Sequence, residues 1–424
     1  MKRWAPIGVG LALVAASCSA SSSNTESRTI DVFGPYLGVE AGAFIDAMSE
    51  FEFETGIRVR YTGSADFVED LRRRVQSGVD EPDIAMVPQP AVIDELISAD
   101  AIVPLSQGTV DAVTANYDLG NFDITNEAHA VPYRSSIKSV VWYRPDVFAE
   151  HQLSIPETFD DLLTVVEIID STTDLAPWCF SIFSGSATGW PATDWIEDIV
   201  LRRAGTDAYD EWVRGERPFD DKVIRDAFME FEELVLLRGR SAGGLRSILN
   251  VEVANTSGPL FTTPAGCAMY KQASFAESWF PPGTDVGPDG DVDFFILPAT
   301  KKGEIDPLVI GGDGAVQFDD RDEVNRLMTY LATPAGAAAW ADDGGFVSAR
   351  TDVDHDSYYR GASRRFSELL SEAPVSRFDA SDVMPAAVGS SLLWTQITAW
   401  IAGTITLDEL ITSVDEALDA EPTD

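Results

Sequence analysis

The chain alternates short apolar runs with amphipathic segments along most of its length. Thr29–Gly34 carries apolar side chains at alternate positions and ends in a glycine turn, which predicts a strand. The run Asp83–Val87 is short and almost wholly apolar, as is typical of a strand buried on both faces. The same criteria predict further strands at Ile57–Tyr61, Ser139–Tyr143, Phe294–Pro298 and Leu308–Gly312.

Between these strands, apolar residues recur at helical spacing. Glu40–Thr55 carries three large apolar residues on one face and is followed by Gly56, a favourable helix end. Asp66–Ser77 begins with an aspartate that suits an N-cap. Further helices are predicted at Val92–Ser98, Phe159–Asp170, Phe219–Gly239, Asp322–Ala332, Ser363–Ser371, Ser391–Ile401 and Leu407–Leu418. This alternation predicts α/β layers around a mainly parallel sheet, and the length of 424 residues suits two domains with two cores.

The N-terminus has the pattern of a secretory signal. Lys2 and Arg3 precede the apolar stretch Ile7–Ala16, and Cys18 follows small residues. This cysteine resembles that of the bacterial lipoprotein box, which becomes acylated after cleavage. We therefore expect residues 1–17 to be a signal peptide and residues 18–28 to be a lipidated Cys18 with a flexible tether. The protein would then be held at the outer face of the cytoplasmic membrane, although an ordinary signal with a coincidental cysteine stays open.

Charge and composition exclude several function classes. The chain has 70 Asp plus Glu against 30 Lys plus Arg, for a formal net charge of -40. Nucleic-acid binding requires a cluster of basic residues, which this composition does not favour. Binding to anionic lipid through a polybasic segment is unsupported for the same reason. Hydrophobic residues at 45% and charged residues at 24% indicate a folded globular protein. Adaptation to a salty medium is one explanation of the acidic excess that the composition leaves open.

The cysteines and histidines argue for a disulfide rather than a metal site. If Cys18 carries lipid, Cys179 and Cys267 remain as a pair, and export into an oxidising compartment favours a bond between them. Two buried free thiols are the alternative. The three histidines are isolated in the sequence and do not neighbour a cysteine at ligand spacing, so we expect no metal and no cofactor.

The sequence lacks the common catalytic motifs, whereas several aromatic residues lie where they could contact a ligand. No nucleophile elbow, Walker motif or H-E-x-x-H is present, and chance alone supplies many paired acids among 70. Two tryptophans in Gly189–Trp195 lie among Gly, Pro and Asp, where we expect them in turns and exposed in a cleft. Sugars present flat apolar faces to aromatic rings and hydroxyl groups to polar side chains, so this pattern favours saccharide binding over catalysis.

Four segments resemble a known family: Asp83–Pro90, Pro177–Cys179 with Ser186–Asp198, Gly266–Phe275, and Gly311–Ala315. They are similar to extracellular solute-binding proteins of carbohydrate ABC importers, of the α-glucoside-binding, maltose-binding-protein-like type. The resemblance runs from about residue 29 to the end. It implies a two-lobed periplasmic-binding-protein (Venus-flytrap) fold of the α/β class with discontinuous domains and a hinge, and it implies that Cys179 and Cys267 are bonded.

The resemblance also implies where the chain changes lobe. We expect crossings near residues 134–138, 311–313 and 346–348. Residues 29–135 with 312–346 would then form lobe 1, and residues 136–311 with 347–424 would form lobe 2. Ligand would select the closed state by contacting both lobes.

Site residues are carried over from the resemblance one by one. The expected ligand-binding residues are Tyr36, Asp66, Gln89, Tyr133, Trp190, Asp194, Trp195, Gln272, Phe275, Gly312, Asp313 and Trp394. Asp66 and Asp194 have the alternative of being only helix caps, and Gln89 that of satisfying a turn.

The expected function is that of a monomeric binding protein rather than an enzyme. It would capture an α-glucoside or oligosaccharide and deliver it to the transmembrane permease subunits of an ABC transporter. One alternative is an exported glycoside hydrolase. Others are the same fold binding a non-sugar solute such as a polyamine, iron or phosphate, or an adhesive or structural lipoprotein.

Overall fold

The computed structural model describes Met1 and residues 28–117 and 128–420. Apart from Met1 and Arg28, the expected signal peptide, Cys18 and the tether therefore lie outside the described residues. Across the described ranges, each helix is too short or too polar to cross a membrane.

The strands form two separate sheets, and the larger one combines strands from the N-terminal and the C-terminal parts of the chain. Its order is β10-β4-β9-β3-β1-β2, with β11 also paired to β9, and the order of the smaller sheet is β6-β7-β5-β8. The strand bounds are β1 (Thr29–Gly34), β2 (Arg58–Gly63), β3 (Ile84–Val87), β4 (Ala130–Ile137), β5 (Val140–Tyr143), β6 (Ala176–Trp178), β7 (Cys267–Lys271), β8 (Asp293–Ile296), β9 (Leu308–Gln317), β10 (Val347–Ser348) and β11 (Ser376–Phe378).

Both sheets are mixed, so the prediction of a mainly parallel sheet is wrong. In the larger sheet β1 is parallel to β2 and β3, but β9 is antiparallel to β3 and β4. In the smaller sheet β5 is antiparallel to both of its neighbours. The physical reason is the connectivity: β9 enters its sheet from the other sheet and not through a crossover helix, which would have imposed the parallel direction.

Helices cover the faces of both sheets. Their bounds are α1 (Gly38–Ala47), α2 (Ser49–Thr55), α3 (Phe67–Ser77), α4 (Pro90–Ser98), α5 (Gln107–Asn116), α6 (Pro145–Glu150), α7 (Phe159–Thr172), α8 (Trp190–Val213), α9 (Lys222–Phe231), α10 (Gly244–Asn250), α11 (Asp322–Leu331), α12 (Pro334–Ala338), α13 (Gly361–Glu372), α14 (Ala380–Val383), α15 (Trp394–Ile401) and α16 (Leu407–Ala420). Short 3₁₀ turns lie at Val253–Asn255, Gly258–Phe261, Ser274–Trp279, Ala341–Asp343 and His355–Ser357, and π turns at Glu232–Leu236 and Val388–Leu393.

The helix α8 corrects the expectation that Gly189–Trp195 forms turns. Gly189 has a φ of 121° at the N-cap, and Pro191 lies in the first turn, where its missing N–H costs no hydrogen bond. Glycine and proline therefore mark the start of a helix here and not a loop. The long helix predicted at Glu40–Thr55 is similarly divided, because α1 ends at Ala47 and α2 begins at Ser49.

The chain passes between the sheets at Lys138–Ser139, from β4 to β5, and again between β8 and β9. The strand β10 pairs with β4, and β11 pairs with β9, so parts of the segment that we assign to lobe 2 add strands to the sheet of lobe 1. The lobe boundaries stay a prediction. Cys179 and Cys267 are joined by a disulfide, with their Cα atoms 5.5 Å apart, beside the smaller sheet.

Candidate functional site

A cavity of about 930 Å³ lies between the two sheets and receives residues from both. From the larger sheet come the loops that follow β1, β2 and β3, together with side chains of β4 and β9. From the other side come the start of α8, the turn Ser274–Trp279 and the start of α15. A volume of this size suits a small organic ligand, and the position makes any occupant contact both halves of the molecule.

One end of the cavity holds a group that we call the arginine cluster: Tyr36, Glu40, Arg134 and Asp313. Arg134 donates from Nε to Asp313 (2.6 Å) and from Nη1 to Glu40 (2.7 Å). The Tyr36 hydroxyl donates to the same oxygen of Asp313 at 3.0 Å. Burial, followed by the charge of Asp313, raises the pKa of Tyr36 well above its usual value, so Tyr36 stays a hydrogen-bond donor.

The cations of the cavity wall already have carboxylate partners. Arg134 is paired within the arginine cluster, and its guanidinium also lies over the rings of Tyr36 (4.7 Å) and Phe275 (5.3 Å). Arg72 at the rim pairs with Glu95, and Lys138 has two acidic partners of its own. Within the part of the chain that the structure describes, the cavity therefore offers an anion no uncompensated Lys or Arg.

A second group, the lysine cluster, consists of Lys138, Asp194, Glu197, Asp379 and Asp382. Lys138 and Asp382 line the cavity, and the other three lie behind its wall. Lys138 Nζ lies 3.0 Å from Asp194 and 2.9 Å from Asp379. A single lysine at the centre of four buried acids cannot neutralise them all. A further ion pair between Lys271 and Asp198 lies nearby at 2.8 Å, also fully buried.

This shortage of cations keeps protons in the lysine cluster at neutral pH. Burial raises the pKa of Asp194 to about 8, against the opposing effect of Lys138. Asp379 behaves in the opposite way: although burial acts to raise its pKa, Lys138 and hydrogen bonds from Asp194 and Ser381 lower it to about 2. Burial and the charge of Asp379 also raise the pKa of Glu197 and Asp382. Asp194 is therefore the proton donor and Asp379 the ionised partner of Lys138.

Glu197 holds the lysine cluster in place. Its two carboxyl oxygens accept hydrogen bonds from the backbone N–H groups of Ala380 (2.9 Å) and Ser381 (3.0 Å), at the start of α14. It thereby ties α8 to α14, and it places Asp379 and Asp382 beside Lys138.

Aromatic rings line the space between the two clusters. Trp190 and Phe275 lie 6.2 Å apart between centroids, and Phe275 is 5.1 Å from Trp279. The Trp279 indole N–H donates to Glu40 (3.2 Å), and Lys138 Nζ lies 4.8 Å from the Trp190 ring. Partly exposed rings fixed by such contacts offer flat apolar surface within reach of polar groups.

Seven of the twelve expected site residues line this cavity: Tyr36, Gln89, Trp190, Phe275, Gly312, Asp313 and Trp394. They come from both sides, which brings together residues as far apart in the sequence as 36 and 394. The structure does not bring the other five to the cavity wall: Asp66, Tyr133, Asp194, Trp195 and Gln272.

Tyr133 and Trp195 point away from the cavity because of the geometry of their elements. Successive side chains of a strand alternate, so Tyr133 faces the core against Phe346 (5.5 Å) while Arg134 faces the cavity. On α8, five residues turn the helix by about 140° relative to Trp190. Trp195 therefore packs against Trp178 (4.9 Å) in the core.

The three polar residues outside the wall are used elsewhere. Asp194 pairs with Lys138 inside α8 and does not cap a helix start. Gln272 accepts a hydrogen bond from the N–H of Ala273 (2.8 Å), at the end of β7. Asp66 makes no capping bond to α3; it accepts a hydrogen bond from the N–H of Ser186 at 2.8 Å.

Sequence reasoning missed Glu40, Arg134, Lys138, Trp279 and Asp382, all of which line the cavity. A signal existed for two of them. Arg134 and Lys138 stand four residues apart at an expected lobe crossing, directly before the apolar strand predicted at Ser139–Tyr143, in a chain with only 30 basic residues. Charged residues beside such a strand are rarely buried unless paired, and they predict an ion-pair network.

Comparison with known proteins identifies the family. Residues 38–338 match the model described as bacterial extracellular solute-binding protein. The chain belongs to this family. Solute-binding proteins of this kind are extracytoplasmic, which agrees with the location expected from the N-terminal pattern.

Two relatives of this solute-binding protein match along nearly its whole length. The osmoprotective compounds-binding protein GgtB of Synechocystis sp. is 33% identical over 398 residues, covering 92% of this chain and 93% of the relative. The alpha-glucosides-binding periplasmic protein AglE of Rhizobium meliloti is 32% identical over 394 residues, covering 90% and 85%.

A solved structure described as a chitin oligosaccharide binding protein aligns with a TM-score of 0.76 and 17% sequence identity, covering 92% of this chain and 98% of that one. At this level of identity the match concerns the fold, and it confirms the two-lobed α/β architecture predicted from the sequence.

Proposed function

We propose that this solute-binding protein captures a neutral α-glucoside, a disaccharide or short oligosaccharide, in the cavity between its lobes and delivers it to the permease of an ABC importer. The carrying observation is that the cavity combines aromatic rings with cations that are already paired. A neutral polyol needs flat apolar surface and hydrogen-bonding groups, without a net opposite charge.

The arginine cluster supports this choice over an anionic solute. An anion would need a Lys or Arg free of acidic partners, whereas Arg134 is held by Glu40 and Asp313 and Lys138 by Asp194 and Asp379. Phosphate would also meet the acids of the wall at close range, where like charges repel.

The name of one relative, AglE, supports the sugar class. AglE is named for α-glucosides and GgtB for osmoprotective compounds, and the two matches cover 90% and 92% of this chain. A sugar bound by several charge-assisted hydrogen bonds and by stacking is expected to reach micromolar affinity or better, about -8 kcal/mol.

We further propose that lipid on Cys18 tethers the mature protein to the outer face of the cytoplasmic membrane, that it works as a monomer and that it performs no catalysis. The resemblance of Cys18 to a lipoprotein cysteine supports the anchor. The rival hydrolase would release product continuously from the bound sugar, whereas a binding protein gives back its ligand unchanged.

Titration calorimetry tests the proposal with maltose, trehalose and sucrose, and with spermidine and inorganic phosphate as rivals. We expect one sugar molecule to bind per protein with a Kd in the micromolar range or below. Heat with spermidine or phosphate and with none of the sugars would overturn the proposal, as would sustained release of glucose from the sugar that binds.

A further inference from the structure

Asp382 is an acid of the cavity wall whose position is not explained by the ion pairs around it. It lies on α14, is 94% buried, and lines the cavity. Lys138 reaches Asp194 and Asp379, and the ion pairs of the described residues include none with Asp382. In the arginine cluster, by contrast, the carboxylates of Glu40 and Asp313 are each held by Arg134 and by a second side chain.

Gln89 meets Asp382 from the other side of the cavity. It precedes α4, next to the larger sheet, and its side chain interacts with the Asp382 carboxyl, which acts to lower the pKa of Asp382. Gln89 is 93% buried and lines the cavity, and its Oε1 has no hydrogen-bond partner among the described residues. A buried acceptor without a partner is rare in folded proteins, and at a cavity wall it indicates a place for a donor of a bound molecule.

An aromatic ring lies beside this pair. The indole N–H of Trp394 donates to the hydroxyl of Ser381 (3.2 Å), the residue before Asp382, which fixes the ring next to the carboxyl group. Trp394 lines the cavity as well. One bound molecule can therefore contact Trp394, Asp382 and Gln89 together.

We propose that Asp382 and Gln89, beside Trp394, form a polar subsite that binds the hydroxyl groups of one terminal sugar ring and determines which glucoside the protein accepts. This inference rests on the proposed function, because it assigns a subsite to the same ligand. The carboxyl oxygens of Asp382 and the amide oxygen of Gln89 accept hydrogen bonds from adjacent hydroxyls of the sugar. A site built on such hydrogen bonds rejects an analogue that lacks the hydroxyl, since its buried polar groups are then left unpaired.

The electrostatics of the lysine cluster agree with this assignment. Burial and the nearby Asp379 favour the neutral form of Asp382 and raise its pKa. A neutral carboxyl loses less hydration when a ligand covers it than an ionised one does.

The experiment measures Kd by calorimetry for maltose, trehalose and sucrose with the wild type, Asp382→Ala and Asp382→Asn. The sugar that binds most tightly to the wild type is then compared with its series of monodeoxy derivatives. Glu167→Gln, which replaces an exposed acid on α7 by its amide, controls for the same kind of substitution away from the cavity. Circular dichroism checks that each variant is folded, and Asp382→Asn keeps the shape of the side chain in case Asp382→Ala does not fold.

We expect Asp382→Ala and Asp382→Asn to weaken binding at least tenfold, and Glu167→Gln less than twofold. At least one monodeoxy sugar should bind the wild type at least tenfold more weakly than the parent sugar does. For Asp382→Asn the same comparison should give a difference of less than threefold, because the partner of the missing hydroxyl is already impaired in that variant. Suppose that the wild type binds a sugar and the Asp382 variants are folded. An unchanged Kd in those variants, or an equal loss of affinity for the monodeoxy sugars in Asp382→Asn and the wild type, would then overturn the subsite and leave the proposed function standing. If the wild type binds none of the three sugars, both the subsite and the proposed function are overturned.

Discussion

The carboxylate of Asp66 accepts a hydrogen bond from the backbone N–H of Ser186 at 2.8 Å and so joins the loop after β2 to the loop before α8 across the cavity mouth. Gly185 makes this contact possible, since it has a φ of 54° and a Cβ at its position would lie 2.8 Å from the Asp66 carboxylate. The two halves of the molecule thus touch directly at this point.

We predict that Asp66→Ala speeds ligand release. Loss of one partly exposed hydrogen bond of about 1 kcal/mol should raise the dissociation rate about fivefold, with little change in the association rate. Stopped-flow tryptophan fluorescence with the sugar that binds most tightly measures both rates. Asp66→Asn keeps an acceptor oxygen and serves as the matched control. An unchanged dissociation rate in Asp66→Ala would show that this contact does not hold the cleft closed.

Substitutions of Trp190 and Trp195, in the first two turns of α8, should affect sugar binding and protein stability separately. Trp190 lines the cavity, so Trp190→Ala should weaken sugar binding about fivefold or more while leaving the melting temperature nearly unchanged. Trp195 packs in the core against Trp178, so Trp195→Phe should lower the free energy of unfolding by about 1–3 kcal/mol and leave Kd within twofold. Calorimetry and urea unfolding of both variants test this pair. The opposite assignment of the two effects would be incompatible with the geometry of α8.

Protons held in the lysine cluster should make stability fall in mild alkali. Between pH 7 and 9 carboxyl groups of the unfolded chain carry no proton, whereas folded Asp194, with its pKa raised to about 8, still carries one in the lower part of that range. The folded state binds more protons, so the free energy of unfolding decreases as pH rises through 8, by about 1 kcal/mol from this group.

Urea unfolding at pH 7, 8 and 9 measures this dependence. The Asp194→Asn variant removes the titrating group and leaves Lys138 its ion pair with Asp379, so its stability should change less over the same range. Glu167→Gln, remote from the cluster, should follow the wild type. Equal pH slopes in the wild type and Asp194→Asn would contradict a proton held at this site.

The cellular location of the protein and its lipid labelling test whether Cys18 is the membrane anchor. In cells that express the full chain, the wild type should appear in the membrane fraction and incorporate labelled palmitate, and Cys18→Ala should lose the label and appear in a soluble extracytoplasmic fraction. Cys179→Ser with Cys267→Ser is the control, because it removes the other two cysteines and should leave the label in place. A labelled Cys18→Ala variant would exclude this cysteine as the anchor.

Local patterns were enough to predict many elements but not the sheet directions or the polar network. Alternation located β1 and β3 within a residue or two, and helical spacing located α7 and α11. The direction of β9 depends on where the chain comes from, which hydrophobic periodicity does not encode. Gly189 and Pro191 predict turns by residue type, although the same two residue types also mark helix starts.

The expected site residues reach the cavity or miss it according to their position along an element. Trp190, Phe275 and Asp313 line the cavity, whereas Trp195 does not, because five residues of helix turn it into the core. The lysine cluster joins Lys138 to Asp379 across 241 positions of the sequence. A contact of that kind arises from tertiary packing, so one sequence alone does not reveal it.

A crystal structure of the protein with the disaccharide that binds most tightly is the most direct test of the central proposal. We expect density for one sugar between the arginine cluster and the lysine cluster, with a ring against Trp190 or Trp394 and hydroxyl groups within 3.2 Å of Asp382 or Gln89. Density for the sugar on the outer surface, with the space between Trp190 and Arg134 filled only by solvent, would contradict it.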